Sequence, residues 1–262
     1  MCRLLGYLGA SIQLDRVLLK PEHSLVVQSY KPEEMTAGLL NADGFGIGWH
    51  DRSKVESPYI YRNTLPIWSD LNLPQISRYI EAKCFLGYVR SATASSPVSI
   101  VNCQPFANED LLFVHNGYIE DFRQKLYRPI RNLLTDAAYQ SILGNTDSEH
   151  IWSLIVTHLQ NSESSIEKVL NDTLIQLTDL ANTYQTEFSA NTIISTGDRL
   201  IASRYSNISR NPTLYWLRDD PMYPNAVIIA SEPIFEGNWK SCPENSIITV
   251  EKNLEVCINS IS

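Results

Sequence analysis

Asp43-Gly-Phe-Gly-Ile-Gly-Trp49 is the stretch on which the fold class turns. A dinucleotide-binding loop needs G-x-G-x-x-G between a strand and a helix. Here the glycines fall at 44, 46 and 48, and no helical periodicity follows. The run therefore reads as a strand whose glycines admit close approach of another backbone. Around it, Arg3–Gly9, Cys84–Arg90 and Leu111–His115 also read as strands, bounded by Gly, Asn, Asp or Pro. The middle of the chain changes period. Ser148–Gln160 carries Ile151, Trp152, Leu154, Ile155 and Leu159 at helical spacing, and Glu163–Tyr184 repeats the pattern. Strands return over Phe188–Ser195, Leu200–Arg204, Ala226–Ala230, Ile247–Val250 and Leu254–Ile258. Strands, then helices, then strands predict a layered α+β domain with mostly antiparallel sheets, and regular βαβ alternation is absent. No repeat or Gly/Ser linker interrupts the chain, so one domain over residues 2–262 is expected.

Composition narrows the function. The 262 residues are 44% hydrophobic and 19% charged, enough for a substantial core. Lys plus Arg is 21 and Asp plus Glu is 29, giving a formal charge of −8. An acidic chain lacks the basic field that non-specific nucleic-acid binding needs. Apolar runs such as Asn225–Ala230 are strand-sized, so no membrane span is expected. Arg3 is the only early cation, and no apolar stretch of signal length precedes Asp15 and Arg16. A cytoplasmic protein is expected, in which the triplets Asn171-Asp-Thr173 and Asn207-Ile-Ser209 carry no glycan. The five cysteines (2, 84, 103, 242 and 257) are odd in number and widely spaced, arguing against a disulfide framework or a zinc site. Cys84 and Cys257 read as small apolar residues within strands. The histidines at 23, 50, 115, 150 and 158 show no H-x-x-x-H or H-E-x-x-H spacing, so no metal is expected.

Cys2 stands out by position. Removal of the initiator methionine is expected before a small second residue, leaving one residue with both a thiol and a free α-amine. Ordinary values are about 8.5 for the thiol and about 7.7–8.0 for the amine, so the amine can act as base near neutral pH. The thiolate is a strong nucleophile, and the pair can attack an acyl carbon without a histidine. Such chemistry needs oxyanion donors and a substrate anchor. Within Phe113-Val-His-Asn-Gly-Tyr-Ile119, the Asn116 side chain and the Gly117 backbone N–H can both donate to one oxygen. Asn-Gly between apolar runs is also the standard two-residue hairpin turn, and the residues alone leave both readings open. Gly87-Tyr-Val-Arg-Ser-Ala-Thr93 ends a strand on Arg90, which can fork onto a carboxylate with the Thr93 hydroxyl beside it. Thr146 and Glu149 have capping-box spacing at the start of a helix. Asp147 lies between them, placed to offset the helix dipole or to hold an ammonium.

In this order, Met1-Cys2, Asn41-Ala-Asp-Gly-Phe-Gly46, Arg90-Ser-Ala-Thr93, His115-Asn-Gly117 and Thr146-Asp-Ser-Glu149 resemble the class II glutamine amidotransferases, which are N-terminal-nucleophile hydrolases. The resemblance extends over most of the chain, because Ala230-Ser-Glu-Pro-Ile234 and Trp239–Val250 look like the family's closing strands. It implies a four-layer αββα sandwich, a cofactor-free reaction and a glutamyl thioester on Cys2. By the same resemblance Asn116 and Gly117 form the oxyanion hole, Arg90 and Thr93 hold the glutamyl α-carboxylate, and Asp147 holds its α-amine. Met1–Gly9, Pro21–Tyr30, Asn41–Trp49 and Pro66-Ile-Trp68 are similar to the ergothioneine-biosynthesis amidohydrolases, known as EgtC. Those hydrolyse the γ-glutamyl amide of γ-glutamyl-hercynylcysteine sulfoxide. Leu4 stands where that group is expected to have His, and Ala94 where synthase-linked relatives usually have one. That substrate carries a quaternary ammonium, for which Tyr30, Phe45, Trp49, Trp68, Tyr88 and Tyr118 are aromatic candidates. The competing readings are a glutaminase subunit feeding ammonia to a separate synthase, a Cys–His hydrolase pairing Cys2 or Cys103 with His115 or His150, and a non-catalytic glutamyl-binding regulator.

Overall fold

The structure, a computed structural model, describes residues 1–34, 38, 40–92, 97–208 and 211–262. In chain order the strands are β1 (Arg3–Gln13), β2 (Phe45–Trp49), β3 (Tyr59–Asn63), β4 (Glu81–Val89), β5 (Phe106–Asn108), β6 (Leu111–Ile119) and β7 (Phe188–Ser195). They continue with β8 (Leu200–Arg204), β9 (Tyr215–Asp220), β10 (Tyr223–Ala230), β11 (Lys240–Ser241), β12 (Ser246–Val250) and β13 (Val256–Ser260). One sheet runs β11-β9-β10-β1-β4-β2-β3 and the other β13-β12-β8-β7-β6-β5. Strand pairs in both are antiparallel, as β1 with β4 and β6 with β7.

Strand alternation builds the layers. On β1, Leu4 and Leu8 face the second sheet and pack with Leu112, Val114, Ile193 and Val227. Leu5 and Tyr7 point the other way, against the short helices α1 (Asp15–Leu18), α2 (Leu25–Tyr30) and α3 (Leu73–Tyr79). The second sheet carries α4 (Phe122–Lys125), α5 (Tyr127–Arg131), α6 (Asp136–Gln140), α7 (Asp147–Asn161) and α8 (Ile166–Thr183) on its outer face. There Trp152 of α7 stacks on Phe113 at 4.9 Å between ring centres. Helix, sheet, sheet, helix is the αββα order that the family resemblance implies. Among the described residues no helix is long and apolar enough to cross a membrane.

Local chemistry sets the boundaries. The predicted helix from Glu163 begins instead at Ile166, because the Ser165 hydroxyl caps it by accepting from the Lys168 N–H at 3.3 Å. Thr146 caps α7 in the same way, accepting from the Glu149 N–H at 3.2 Å. The Glu149 carboxylate does not complete a capping box; it turns back to accept from the N–H groups of Leu143 and Gly144. The strand predicted from Leu254 begins at Val256, since Leu254 is in a turn at φ 66°. Cys84 is buried as expected, whereas Cys257 lies exposed on edge strand β13. In the glycine run, a Cβ on Gly46 would overlap the Gln104 carbonyl oxygen, which is the close backbone approach read from the sequence.

His50 and His150 are buried and held neutral. His50 follows β2 and meets the Ser195 hydroxyl of β7 at 3.0 Å, tying the two sheets together. His150 of α7 donates from Nδ1 to the Thr146 carbonyl and accepts at Nε2 from Arg131 Nε, a pattern available only to the uncharged ring. Burial lowers both to about 4. An unfolded histidine takes up its proton near 6.5, so between that value and about 4 the unfolded chain binds more protons and acidification destabilises the fold. Burial raises the Glu149 carboxyl, which acts in the opposite sense as a single group. Chemical denaturation should show stability falling from pH 6.5 towards 4.5, by about 1.4 kcal/mol per pH unit for each histidine. A flat profile between pH 7 and 5 would contradict this assignment.

Candidate active site

Cys2 precedes β1 by one residue, and β1 pairs with β4 so that Leu4 faces Tyr88 and Arg3 faces Val89. Cys2 shares the parity of Leu4 and projects between the sheets, where it packs against the interior cluster. Its sulfur accepts from the Tyr88 hydroxyl at 2.8 Å and from the Ser91 N–H at 3.4 Å. Burial, followed by the charge of Cys2, pushes the Tyr88 phenol well above its ordinary range, so it remains a donor.

Asn116 and Gly117 lie within β6, paired with Asn191 and Ala190 of β7, so the Asn-Gly pair is not a hairpin turn. Asn116 has the parity of Leu112 and Val114 and points between the sheets, as Cys2 does. It is fully buried, yet among the described residues neither its Nδ2 nor its Oδ1 has a hydrogen-bond partner. Leaving such a group unpaired costs about 1–3 kcal/mol, so a ligand oxygen that accepted from Nδ2 would be favoured there. A Cβ on Gly117 would overlap the Ser189 carbonyl and the His115 ring. Backbone N–H groups at alternate positions of a strand leave the same edge. The His115 N–H goes to Gln104 Oε1 and that of Ile119 to Asp147 Oδ2, so the Gly117 N–H between them leaves by the edge away from β7.

A cavity of about 440 Å³ is lined by Cys2, Tyr88, Arg90, Gly117 and Asp147, together with Tyr118 and Phe122. Arg90 is buried at the end of β4 and donates from Nη1 to the Pro97 carbonyl at 3.2 Å. Asp147 opens α7 and accepts from the Ile119 N–H at 2.9 Å and from its neighbour Ser148 N–H at 2.8 Å. It thus joins the end of β6 to the start of α7; Oδ1 also accepts from the Ser148 hydroxyl at 3.4 Å, and Oδ2 keeps a lone pair for a ligand. Thr93 and Ala94 lie outside the described residues. Of the six aromatics considered, Tyr88 and Tyr118 line the cavity. Phe45 is core, Trp49 stacks on Tyr59, and Tyr30 meets Trp68 edge-on at the surface.

The Cys–His pairing is overturned. His115 occupies its ring nitrogens with the Ser148 hydroxyl at 2.8 Å and the Ser189 carbonyl at 3.2 Å, and burial keeps it neutral. His150 is engaged by Thr146 and Arg131. The Cys103 thiol donates towards the Asn63 and Ser99 carbonyls instead, and burial raises its pKa.

Several supporting residues escape sequence reasoning. Gln104, joined to Pro105 by a cis peptide, brackets both backbone groups of His115 with its side-chain amide. Asp43 accepts from the Ala92 N–H and holds the chain that follows Arg90. Arg3 donates to the Cys2 carbonyl at 2.9 Å and forms a buried ion pair with Glu232 at 2.7 Å. Glu232 also accepts from His23 at 2.8 Å and from the N–H groups of Glu33 and Glu34. Burial raises the Glu232 carboxyl, but His23, Arg3 and the two N–H groups together outweigh it and hold the group below the ordinary range. For Arg3 and Glu232 the sequence offers only an early arginine and a Ser-Glu-Pro run, while Asp43 lies in the Asn41–Gly46 segment that carries the family resemblance.

Comparison with known proteins agrees with this architecture. Residues 1–228 match the family model described as glutamine amidotransferases class-II. The chain is 29% identical over 251 residues to the gamma-glutamyl-hercynylcysteine sulfoxide hydrolase of Mycobacterium tuberculosis, covering 95% of this chain and 93% of that one. It is 25% identical to a probable glutamine amidotransferase of Saccharomyces cerevisiae, covering 96% and 82%. A glutamine aminotransferase class-II domain protein from Silicibacter pomeroyi superposes over both full chains with a TM-score of 0.73 at 22% identity. With the family model spanning most of its length over a fold of matching layers, the chain belongs to the class II glutamine amidotransferases.

Proposed function

We propose that the chain hydrolyses γ-glutamyl amides with Cys2 as nucleophile, once removal of Met1 has freed the Cys2 α-amine. The amine takes the thiol proton and sulfur adds to the amide carbonyl carbon, placing the carbonyl electron pair on oxygen. Asn116 Nδ2 and the Gly117 N–H stabilise that oxyanion. As the intermediate collapses, the C–N bond breaks and the α-ammonium returns its proton to the departing nitrogen. Water then adds to the thioester carbon, gives a proton to the amine, and the C–S bond breaks to release glutamate. Arg90 holds the glutamyl α-carboxylate, with Thr93 beside it, and Asp147 holds the α-ammonium.

The observation that carries this reading is the buried, unpartnered Asn116 amide beside Gly117, on the strand that faces Cys2. The mycobacterial gamma-glutamyl-hercynylcysteine sulfoxide hydrolase supports that sulfoxide as substrate, and the sequence resemblance to the EgtC group extends the proposal to a role in ergothioneine biosynthesis. Tyr118 and Phe122 offer aromatic faces to the quaternary ammonium of the leaving half. The five free cysteines fit a cytoplasmic setting.

A panel of γ-glutamyl amides, assayed for glutamate and for ammonia, should show the betaine conjugate turned over faster than glutamine. Preference for glutamine with stoichiometric ammonia would favour a synthase-feeding glutaminase. Cys2→Ala should abolish turnover with the fold intact, and protein that retains Met1 should be inactive. Full activity in either preparation removes the mechanism. Asn116→Ala should lower kcat by about 10²–10³ with little change in KM, as expected for loss of one oxyanion donor; a change confined to KM would instead assign Asn116 to ground-state binding.

A further inference from the structure

Tyr88 is buried, and its hydroxyl lies 2.8 Å from Cys2 Sγ. Its position is firmly set, because its neighbours in register are Leu4 on β1 and Gly46 on β2. We propose that Tyr88 is a catalytic residue that donates to the Cys2 sulfur and accelerates release of the thiolate from the acyl-enzyme. The inference rests on the reading of Cys2 as nucleophile and adds a residue to it.

The argument turns on which way charge moves at sulfur. In the attack, sulfur begins as a thiolate paired with the α-ammonium and loses charge as the C–S bond forms. A donor to sulfur enlarges the thiolate population but also makes each thiolate less nucleophilic, so the two effects largely cancel. In deacylation the reactant is a neutral thioester. Water oxygen bonds to the acyl carbon, its proton passes to the α-amine, and the C–S pair leaves on sulfur. Negative charge then grows on sulfur while the Tyr88 O–H points at it, and a hydrogen bond to an ion is about twice as strong as one to a neutral group. The ammonium finally returns a proton to the thiolate, and Tyr88 keeps its own proton throughout. Burial keeps the phenol protonated, with the charge of Cys2 as the second cause. The Ser91 N–H, at 3.4 Å, is a weaker second donor to the same atom.

Tyr88→Phe keeps the ring and removes the donor. With a γ-glutamyl amide that the wild type turns over, the variant should lose about tenfold in kcat. Single-turnover acylation should slow by less than about threefold. KM should fall with kcat, and intact mass should show acyl-Cys2 as the main species at steady state. A purely structural role would slow both steps together without accumulation of the adduct, and that outcome, or an unchanged kcat, overturns the assignment. Turnover that depends on Cys2 together with an unaffected Tyr88→Phe enzyme removes the Tyr88 role alone. Full turnover by Cys2→Ala removes both. Should Tyr88→Phe fail to fold, replacement of the 13 tyrosines by 3-fluorotyrosine supplies a more acidic donor of nearly the same shape. Single-turnover deacylation should then quicken, and an unchanged rate overturns the proposal.

Discussion

The two-residue period of β1 is the constraint on which the site depends. Leu4 and Leu8 enter the layer between the sheets while Leu5 and Tyr7 enter the helix-covered layer, so the strand is buried on both faces. A slip of one residue would exchange the two sets against cavities shaped for the other, and would turn Cys2 away from Tyr88 and β6. The register with β4 therefore does more than close a sheet. By pairing Leu4 with Tyr88 it delivers a sulfur atom to a phenol, and by pairing Arg3 with Val89 it sends the next side chain to the opposite layer.

Arg3 secures that opposite side. An arginine with about 1% of its side chain exposed is tolerated only when its charge is compensated, and Glu232 provides the counter-charge. The carboxylate is further satisfied by His23 and by the N–H groups of Glu33 and Glu34, which brings the end of β10, the turn before α2 and the segment after it to one point. Such a pair adds little net stability over an apolar one, but loss of one partner strands a buried charge at a cost of about 3–5 kcal/mol. Its use here is directional. Arg3 also grips the Cys2 carbonyl, so the residue that bears the thiol is held from the backbone on one side and through its sulfur on the other.

How much of this was legible follows the range of the interactions. β7 and β8 begin and end where the apolar pattern does, because β7 is buried along its whole length and β8 beside it is as well. Asn116, Gly117, Arg90 and Asp147 could be singled out because each is unusual within its own few residues. β3 and β9 were missed: their residues are largely half-exposed, with little apolar contrast, and they hold their places by pairing with β2 and β10. Tyr88 was noticed only as an aromatic face, since its contact with Cys2 spans 86 residues of sequence. The partnership of Arg3 with Glu232 spans still more of the chain, and nothing in either neighbourhood announces it. Asn-Gly remained ambiguous for the opposite reason. Its local signal is strong but shared with a turn, and only the pairing of β6 with β7 decides.

Under the proposed reading, the charges about the cavity also explain why a γ-linked rather than an α-linked glutamyl group would be selected. Arg90 and Asp147 both line the cavity, one a cation and the other a carboxylate. A free α-carboxylate and a free α-ammonium on the same carbon satisfy both, which leaves the side-chain carbonyl as the part able to reach Cys2. An α-linked glutamyl peptide has already used its α-carboxylate in the bond to be cut, so Arg90 would meet a neutral amide in a buried setting. Sites built to pair a polar group reject ligands that lack it far more strongly than apolar pockets reject a missing methylene. Selectivity for the linkage therefore needs no shape complementarity beyond the two charged anchors. Discrimination among leaving groups falls to the rest of the lining, where Tyr118 and Phe122 stand.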